Sequence, residues 1–296
     1  MTDNVMTKNQ QLAQWLELRI PYDTIARNPV VEASCQQYLK KHKHLRIVDL
    51  GAGTGANCRY YLSKFSQDQE WFLVEQNQEL LEIAFASLAS WAVKNGYDSK
   101  SQFLRLNLEN QVHKITIQGI VGSILELENL INLETINLVV ANAVFDLFSK
   151  QQFQIFLKYL NKYQLPIVTT LNYTGMNFTP QTDEDAGFIK YYDRHMQRPQ
   201  DFGRGMGSDC GAFMWEAMQG IGMKGLQGES PWEISGSDRI FLQLLLGFME
   251  ASIPEIIEEE SLQQKFKSWL SQKQQMIAQK QLSCNVAHQD FWGYWK

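Results

Sequence analysis

The segment Ile47-Val48-Asp49-Leu50-Gly51-Ala52-Gly53-Thr54-Gly55-Ala56 constrains what this chain can fold into more than any other. A β-branched apolar run breaks into three alternating glycines and then into helix-forming residues, which reads as strand, tight turn and helix. Glycine suits such a turn because it takes positive φ without a Cβ in the way. The residues beyond it repeat the alternation. Ala56 to Phe65 reads as a helix and Trp71 to Glu75 as a second strand. Asn77 caps an amphipathic helix carrying Leu80, Leu81, Ala84, Phe85, Leu88 and Trp91, which Gly96 closes. Phe103 to Leu108 and His113 to Val121 read as two strands, and Ile136 to Ala141 as a buried one. Ser149 with Gln152 forms a capping box, and Pro166 introduces a strand from Ile167 to Leu171. Strands alternating with helices pair in parallel through right-handed crossovers, which predicts a doubly wound α/β sheet between two helical layers.

The flanks differ from this core. Leu12 to Arg19 reads as a short helix stopped by Pro21, and Asn28 with Pro29 opens a second helix that ends in the basic run Lys40 to His44. That run reads as a solvated helix end. Beyond Tyr173, Thr182 is expected to cap a helix reaching about Met196, followed by a stretch with Gly203, Gly205, Gly207 and Gly211. A short helix from Trp215 to Gly220 comes next. Met223 to Gly228, Ser237 to Ala251, Pro254 to Gln281 and Leu282 to His288 then read as strand, helix, long helix and strand. The expected organisation is a helical cap over residues 1–45 and one domain over 46–296, with a substrate-covering region at about 174–220.

Charge and hydropathy exclude several classes. With 27 Lys and Arg against 32 Asp and Glu, net charge −5, the chain is not built to neutralise nucleic-acid phosphates, so no duplex nucleic-acid partner is expected. No run approaches the ~18–20 apolar residues that span a bilayer. The best candidate, Ile240 to Met249, is interrupted by Gln243, so no membrane partner is expected. Asp3, Asn4, Lys8 and Asn9 stand where a signal peptide needs an apolar centre, which points to the cytoplasm. Cys35, Cys58, Cys210 and Cys284 form no C-x-x-C pair and read as buried free thiols.

Gly51, Gly53 and Ala56 formally fit G-x-G-x-x-G/A, which leaves an NAD-dependent oxidoreductase open. Asp49 weighs against it, since a carboxylate two residues before Gly51 would repel a pyrophosphate but welcome a sulfonium and an ammonium. Glu75, 22 residues past Gly53, stands where a carboxylate can accept both hydroxyls of an adenosine ribose.

In Asp49 to Gly55, in Glu75 and in Leu138-Val139-Val140-Ala141-Asn142 the chain resembles the class I S-adenosylmethionine-dependent methyltransferases over roughly residues 46–171. The resemblance implies a Rossmann-like, mostly parallel sheet with N-terminal helices and an antiparallel C-terminal strand, and S-adenosylmethionine as cofactor. It implies that Asp49, Gly51, Ala52, Gly53 and Gly55 line the methionine part and that Glu75 holds the ribose. Ser123 and Ile124 are expected at the adenine, with Asn107 and Leu108 as the competing alignment. Asn142 and Asp146 occupy the segment that faces the transferable methyl in the family, and are the candidate catalytic residues. Ala143 and Val144 replace the prolines of base methyltransferases, which weighs against methylation of DNA bases and leaves a small-molecule acceptor open.

His195, in Tyr191-Tyr192-Asp193-Arg194-His195, has the right chemistry for a general base near neutral pH. With Tyr173 and Arg198 it is expected to face the acceptor, beneath a cover formed by Thr182 to Gly207. Arg19 and Tyr22 resemble the N-terminal helices that lie over the cofactor in small-molecule methyltransferases. Asp183, Glu184 and Asp185 read as first-turn helix acids rather than metal ligands, so no metal is expected. A cofactor-binding protein without catalysis is the alternative from another class.

Overall fold

The structure is a computed structural model that describes residues 7–200 and 203–296. Two helices, α1 (Lys8–Ala26) and α2 (Pro29–Leu39), precede β1 (His44–Leu50), α3 (Ala56–Leu62), β2 (Asp68–Glu75) and α4 (Gln78–Lys94). Next come β3 (Asp98–Gln102), β4 (Arg105–Glu109), β5 (Lys114–Val121), α5 (Leu127–Leu130), β6 (Leu138–Asn142), α6 (Lys150–Tyr163) and β7 (Ile167–Thr179). The remainder is α7 (Asp185–Met196), β8 (Pro199–Gln200), β9 (Gly203–Arg204), α8 (Cys210–Gly220), β10 (Lys224–Glu229), β11 (Trp232–Ile234), α9 (Arg239–Ser252), α10 (Glu260–Ala278) and β12 (Ser283–Tyr294).

The main sheet runs β10-β12-β7-β6-β1-β2-β5-β4-β3. Its five central strands are parallel, β12 is antiparallel between β7 and β10, and β3 and β4 form an antiparallel edge. The fold is therefore the expected Rossmann-like, mostly parallel sheet with an antiparallel C-terminal strand. From β1 the chain builds outward through β2 and β5, then returns to the other side of β1 as β6. This reversal opens a crevice at the carboxyl ends of β1 and β6, where open α/β sheets bind ligands.

β1 is buried from Ile47 to Leu50 because both its faces are covered. Leu45 and Ile47 pack with Val31, Tyr61 and Leu88 from α2, α3 and α4, while Val48 and Leu50 pack with Phe153, Phe156 and Met214 from α6 and α8. The capping box of α6 forms as the sequence predicts, with the Gln152 amide donating to Ser149 Oγ at 3.1 Å and the Ser149 amide to Gln152 Oε1 at 2.9 Å. All four cysteines are free and buried. No helix among the described residues is long and apolar enough to cross a membrane.

Several boundaries differ from the sequence reading. Pro21 does not stop α1, which continues through it to Ala26. Proline removes the hydrogen bond to the carbonyl four residues back, and that residue, Glu17, is exposed, so its carbonyl can turn to water. The opposite face holds the helix straight through the break. There Trp15 packs against Phe241 and Phe248 with ring centroids 5.2 and 4.9 Å apart, and Tyr22 lies 4.1 Å from Phe241.

β7 and β12 each run well past the stretch their apolar pattern marked. They pair with each other from Ile167 to Thr179, and this long ribbon carries a third core in which Phe178, Phe188, Trp232, Phe241, Phe266 and Trp269 are buried. That core takes in α7, α9 and α10, whereas Met206, Cys210, Met214 and Met218 pack with β6 and α6 in another. The expected long helix from Pro254 is instead a short 3-10 turn, Ile253–Glu255, followed by α10 from Glu260. Thr182 is not the cap of α7. Its hydroxyl donates to Asp185 at 2.6 Å, and Asp185, a first-turn acid of α7 as expected, is in addition a buried partner of Lys273 (2.7 Å) and Trp269 (2.7 Å). Phe202, in the glycine-rich stretch, lies outside the described residues.

Candidate functional site

A cavity of about 390 Å³ opens at the carboxyl ends of β1, β2 and β6, within the range of roughly 300–1,000 Å³ usual for small-molecule sites. Its floor is the turn after β1. Gly51 has φ +59° and Gly53 φ +52°, a conformation other residues rarely hold. A Cβ on Gly51 would stand 2.8 Å from Val144 Cγ2, so this glycine lets the end of β6 close against the turn. At Gly53 the nearest atom is Leu16 Cδ1 of α1, 3.1 Å from where a Cβ would stand.

Glu75, at the end of β2, closes the next side. Its Oε2 accepts from the Gly53 amide at 3.0 Å and its Oε1 from the Asn77 amide at 3.0 Å. The carboxylate therefore ties the turn to the start of α4, and each oxygen keeps a lone pair for a further donor. Ser123 and Ile124 continue the wall beyond it. Asn107 is exposed on β4 and Leu108 is buried in the core, away from the cavity.

The roof is α1. Leu12, Leu16, Arg19 and Asp23 recur at helical spacing along one face and line the cavity, with Leu16 over Gly53 and Asp23 over Asn142. Asp23 is the hub of this side. It accepts from Arg19 Nε at 3.0 Å, Asn142 Nδ2 at 3.0 Å and Trp232 Nε1 at 3.1 Å. Asn142 Oδ1 in turn accepts from Thr170 Oγ1 at 2.7 Å, which fixes the orientation of the amide. Ala143, directly after it, is held at φ +53°, and such strained positions cluster at functional sites.

Asp49 is placed differently from the expectation. It lies beneath the turn, fully buried and outside the cavity wall, with Oδ1 accepting from Asn57 Nδ2 at 2.7 Å and Oδ2 left without a partner. Burial pushes its carboxyl up to about 7, against the pull of Asn57 and Arg27. Arg27 donates to Asn57 Oδ1 at 2.8 Å and lies 4.0 Å over the Tyr60 ring. Asp49 reaches the cavity only through Asn57, because the turn itself stands between. Gly55 also lies outside the wall, at the start of α3.

Asp146 follows β6 on a 3-10 turn, Phe145–Leu147, beside but not in the wall. Its Oδ1 is buried without a partner, and burial raises the carboxyl to about 6, tempered by the Arg19 charge. Tyr173 is buried on β7, its hydroxyl donating to Asp193 Oδ1 at 2.9 Å. His195 and Arg198 are not brought to the cavity. Both reach Glu255, His195 Nε2 at 3.1 Å, and burial and the Arg198 charge keep His195 below the ordinary histidine value. Asp193, two residues before His195 and so on the opposite side of α7, bonds Tyr173, which leaves His195 and the following Arg198 to Glu255. The sequence reading thus missed Leu12, Leu16, Asp23 and Asn57. The stripe Leu12, Leu16, Arg19, Asp23 was visible, but ending the helix at Pro21 cut it off.

A family model described as "Putative S-adenosyl-L-methionine-dependent methyltransferase" matches residues 29–202. The chain belongs to that family. It is an S-adenosylmethionine-dependent methyltransferase, and S-adenosylmethionine is its cofactor. Among solved structures the methyltransferase is similar to the cyclopropane synthase MmaA2 from Mycobacterium tuberculosis, with 12% identity over 99% of this chain and 87% of that one and a TM-score of 0.43. It is similar too to the YcgJ protein from Bacillus subtilis, with 9% identity over 91% and 100% and a TM-score of 0.48. A third is phosphoethanolamine N-methyltransferase 2 from Haemonchus contortus, with 12% identity over 100% and 61% and a TM-score of 0.42. No curated protein matches the chain. The site fits the cofactor on its own chemistry: a carboxylate stands at the end of β2, and the turn presents backbone rather than side chain. Among the described residues no group of three or more His, Cys, Asp or Glu is placed to hold a metal ion.

Proposed function

We propose that this methyltransferase modifies a small-molecule acceptor. The observation that carries the reading is the roof: α1 covers the cavity with Leu12, Leu16, Arg19 and Asp23, and about 390 Å³ beneath it must serve cofactor and acceptor together. A polymer could not enter without displacing the helix. The N-terminal helices then act as the cap, with the cytoplasm as the place of action; no described residue of the expected cover at 174–220 lines the cavity.

Glu75 holds the ribose hydroxyls, Gly51, Ala52 and Gly53 take the methionine portion along their backbone, and Ser123 with Ile124 flank the adenine. Asp49 acts from beneath, orienting Asn57. When bound, S-adenosylmethionine supplies a methyl on a sulfonium sulfur, which keeps the bonding electron pair as the methyl leaves. Asn142, clamped by Asp23 and Thr170, fixes the wall on the acceptor side. A nitrogen or oxygen of the acceptor forms the new bond to carbon in line, and the proton it sheds passes by way of water to Asp146, which stands behind the wall next to Leu147. Positioning and exclusion of water supply most of the rate, as for reactants held in near-attack geometry.

Transfer of labelled methyl from S-adenosylmethionine to a panel of metabolites and to protein fractions tests the reading. Label is expected in small molecules. Asp146 is flanked by Arg19, Tyr192 and Cys210, and its carboxyl is ionised only above about 6. Turnover should therefore rise with pH through about 6 and level off, and Asp146→Asn should abolish that rise. Label found only in macromolecules would overturn the small-molecule assignment, and an unchanged profile in Asp146→Asn would remove Asp146 as the base.

A further inference from the structure

Arg19 leaves the cavity wall with a buried donor, Nη2, that no group among the described residues accepts. Its Nε edge is taken by Asp23 at 3.0 and 3.2 Å, and its guanidinium lies 5.1 Å from the Trp232 ring, yet Nη2 has no partner. Across from it Asp146 Oδ1 is buried and equally unpartnered. The two attract, since Arg19 holds the Asp146 carboxyl down, but among the described residues no ion pair joins them. His288 adds a third open atom, Nδ1, with its ring 4.7 Å from Trp232 and kept neutral by burial and by Arg19.

Leaving a guanidinium and a carboxyl both buried and both unsatisfied is costly for each, unless a third group bridges them. Arg27 lies beside Asn57 under the turn, reaches Asn142 Oδ1 at 3.4 Å and also keeps buried unpartnered donors, Nε and Nη1, but it stands outside the cavity wall, whereas Arg19 lines it. Arg19 belongs to the end beyond Asn142. Asp23 offsets the Arg19 charge, which suits a monoanion better than a phosphate dianion, and the open Nη2 is a donor that a carboxylate can meet.

Resting on the small-molecule assignment above, we propose that this end of the cavity binds an acceptor by its carboxylate, held on the free edge of Arg19, with the acceptor's N–H or O–H turned to Asp146. The acceptor class is a small amino or hydroxy acid. The S–CH3 bond breaks with its electron pair kept by sulfur, the N–CH3 or O–CH3 bond forms, and the proton passes by way of water to Asp146.

The test is methyl transfer by the full chain to the twenty common α-amino acids, lactate and hydroxybenzoates, each paired with its carboxamide. At least one acid should be methylated, with its carboxamide about 10- to 100-fold lower in kcat/KM, the scale of a lost charge-assisted pair. Arg19→Gln should bring the acid down to the carboxamide's level, and Arg19→Lys, which keeps charge without the fork, should fall between. Binding of S-adenosylhomocysteine should be unchanged in both variants, which also reports their fold. Should Arg19→Gln not fold, the acid and carboxamide comparison on the unaltered protein decides alone. Equal use of acid and carboxamide, discrimination retained in Arg19→Gln, or no acid accepted would each overturn the inference. So would weaker binding of S-adenosylhomocysteine with unchanged binding of 5′-methylthioadenosine, which lacks the amino-acid tail, because Arg19 would then hold the cofactor. Turnover on protein alone overturns the small-molecule assignment as well, whereas turnover of amines without a carboxylate overturns only this inference.

Discussion

Gly51→Ala is expected to destabilise the fold by about 2–5 kcal/mol. Two parts of the structure set that figure. Alanine at φ +59° carries the left-handed penalty of roughly 1–2 kcal/mol. Its Cβ would also stand 2.8 Å from Val144 Cγ2 and 3.5 Å from Cγ1, and Val144 is only 7% exposed, so relief requires moving a packed side chain at a cost of about 1–3 kcal/mol. The backbone cannot yield easily, because Ala143 beside it is already at φ +53° and its amide is bonded to the Thr170 carbonyl at 2.9 Å. Urea unfolding of wild type, Gly51→Ala, Val144→Ala and the double variant separates the parts. The clash should vanish in the double variant, giving a coupling of about 1–3 kcal/mol, while the φ penalty of about 1–2 kcal/mol remains. A Gly51→Ala stability within about 0.5 kcal/mol of wild type, or strictly additive effects, would refute the reasoning.

Glu75→Ala should weaken S-adenosylhomocysteine binding by about 1.5–3 kcal/mol in calorimetry, since a charge-assisted pair to the ribose is lost; an unchanged Kd in a folded variant would remove Glu75 from the site. Lys273→Met should cost about 3–5 kcal/mol in thermal or urea unfolding, because it strands the buried Asp185 carboxylate. Burial raises that carboxyl, but hydrogen bonds from Lys273, Thr182 and Trp269 outweigh it and leave it below the ordinary value, so its stabilisation is present above the unfolded value near 4 and fades as pH falls below it. His195→Ala and Arg198→Ala should keep wild-type turnover, because both groups are spent on Glu255 away from the cavity. A tenfold fall in either would return them to the acceptor's path.

By itself the sequence determined what rests on local chemistry. Three glycines after a β-branched run can only make this turn, Asn28, Asn77 and Ser149 each offer a side-chain oxygen to open helix amides, and alternating strands and helices admit few topologies. The turn, Glu75, Ser123 and Asn142 were legible for that reason, being fixed by their place at strand ends. Tertiary structure decided what depends on partners distant in the chain. Trp232, Phe241 and Phe248 carry α1 past Pro21 and bring Asp23 to Asn142, residues 119 apart. Asp185 was legible as a first-turn helix acid, but its burial against Lys273 and Trp269, from α10, was not. His195 had the right chemistry for a base, but Asp193, on the opposite side of α7, is the residue that meets Tyr173, and His195 is left to Glu255. Periodicity and capping act within a few residues, whereas the direction in which a polar side chain finally points is fixed by whichever distant group satisfies it most fully in a low-dielectric interior.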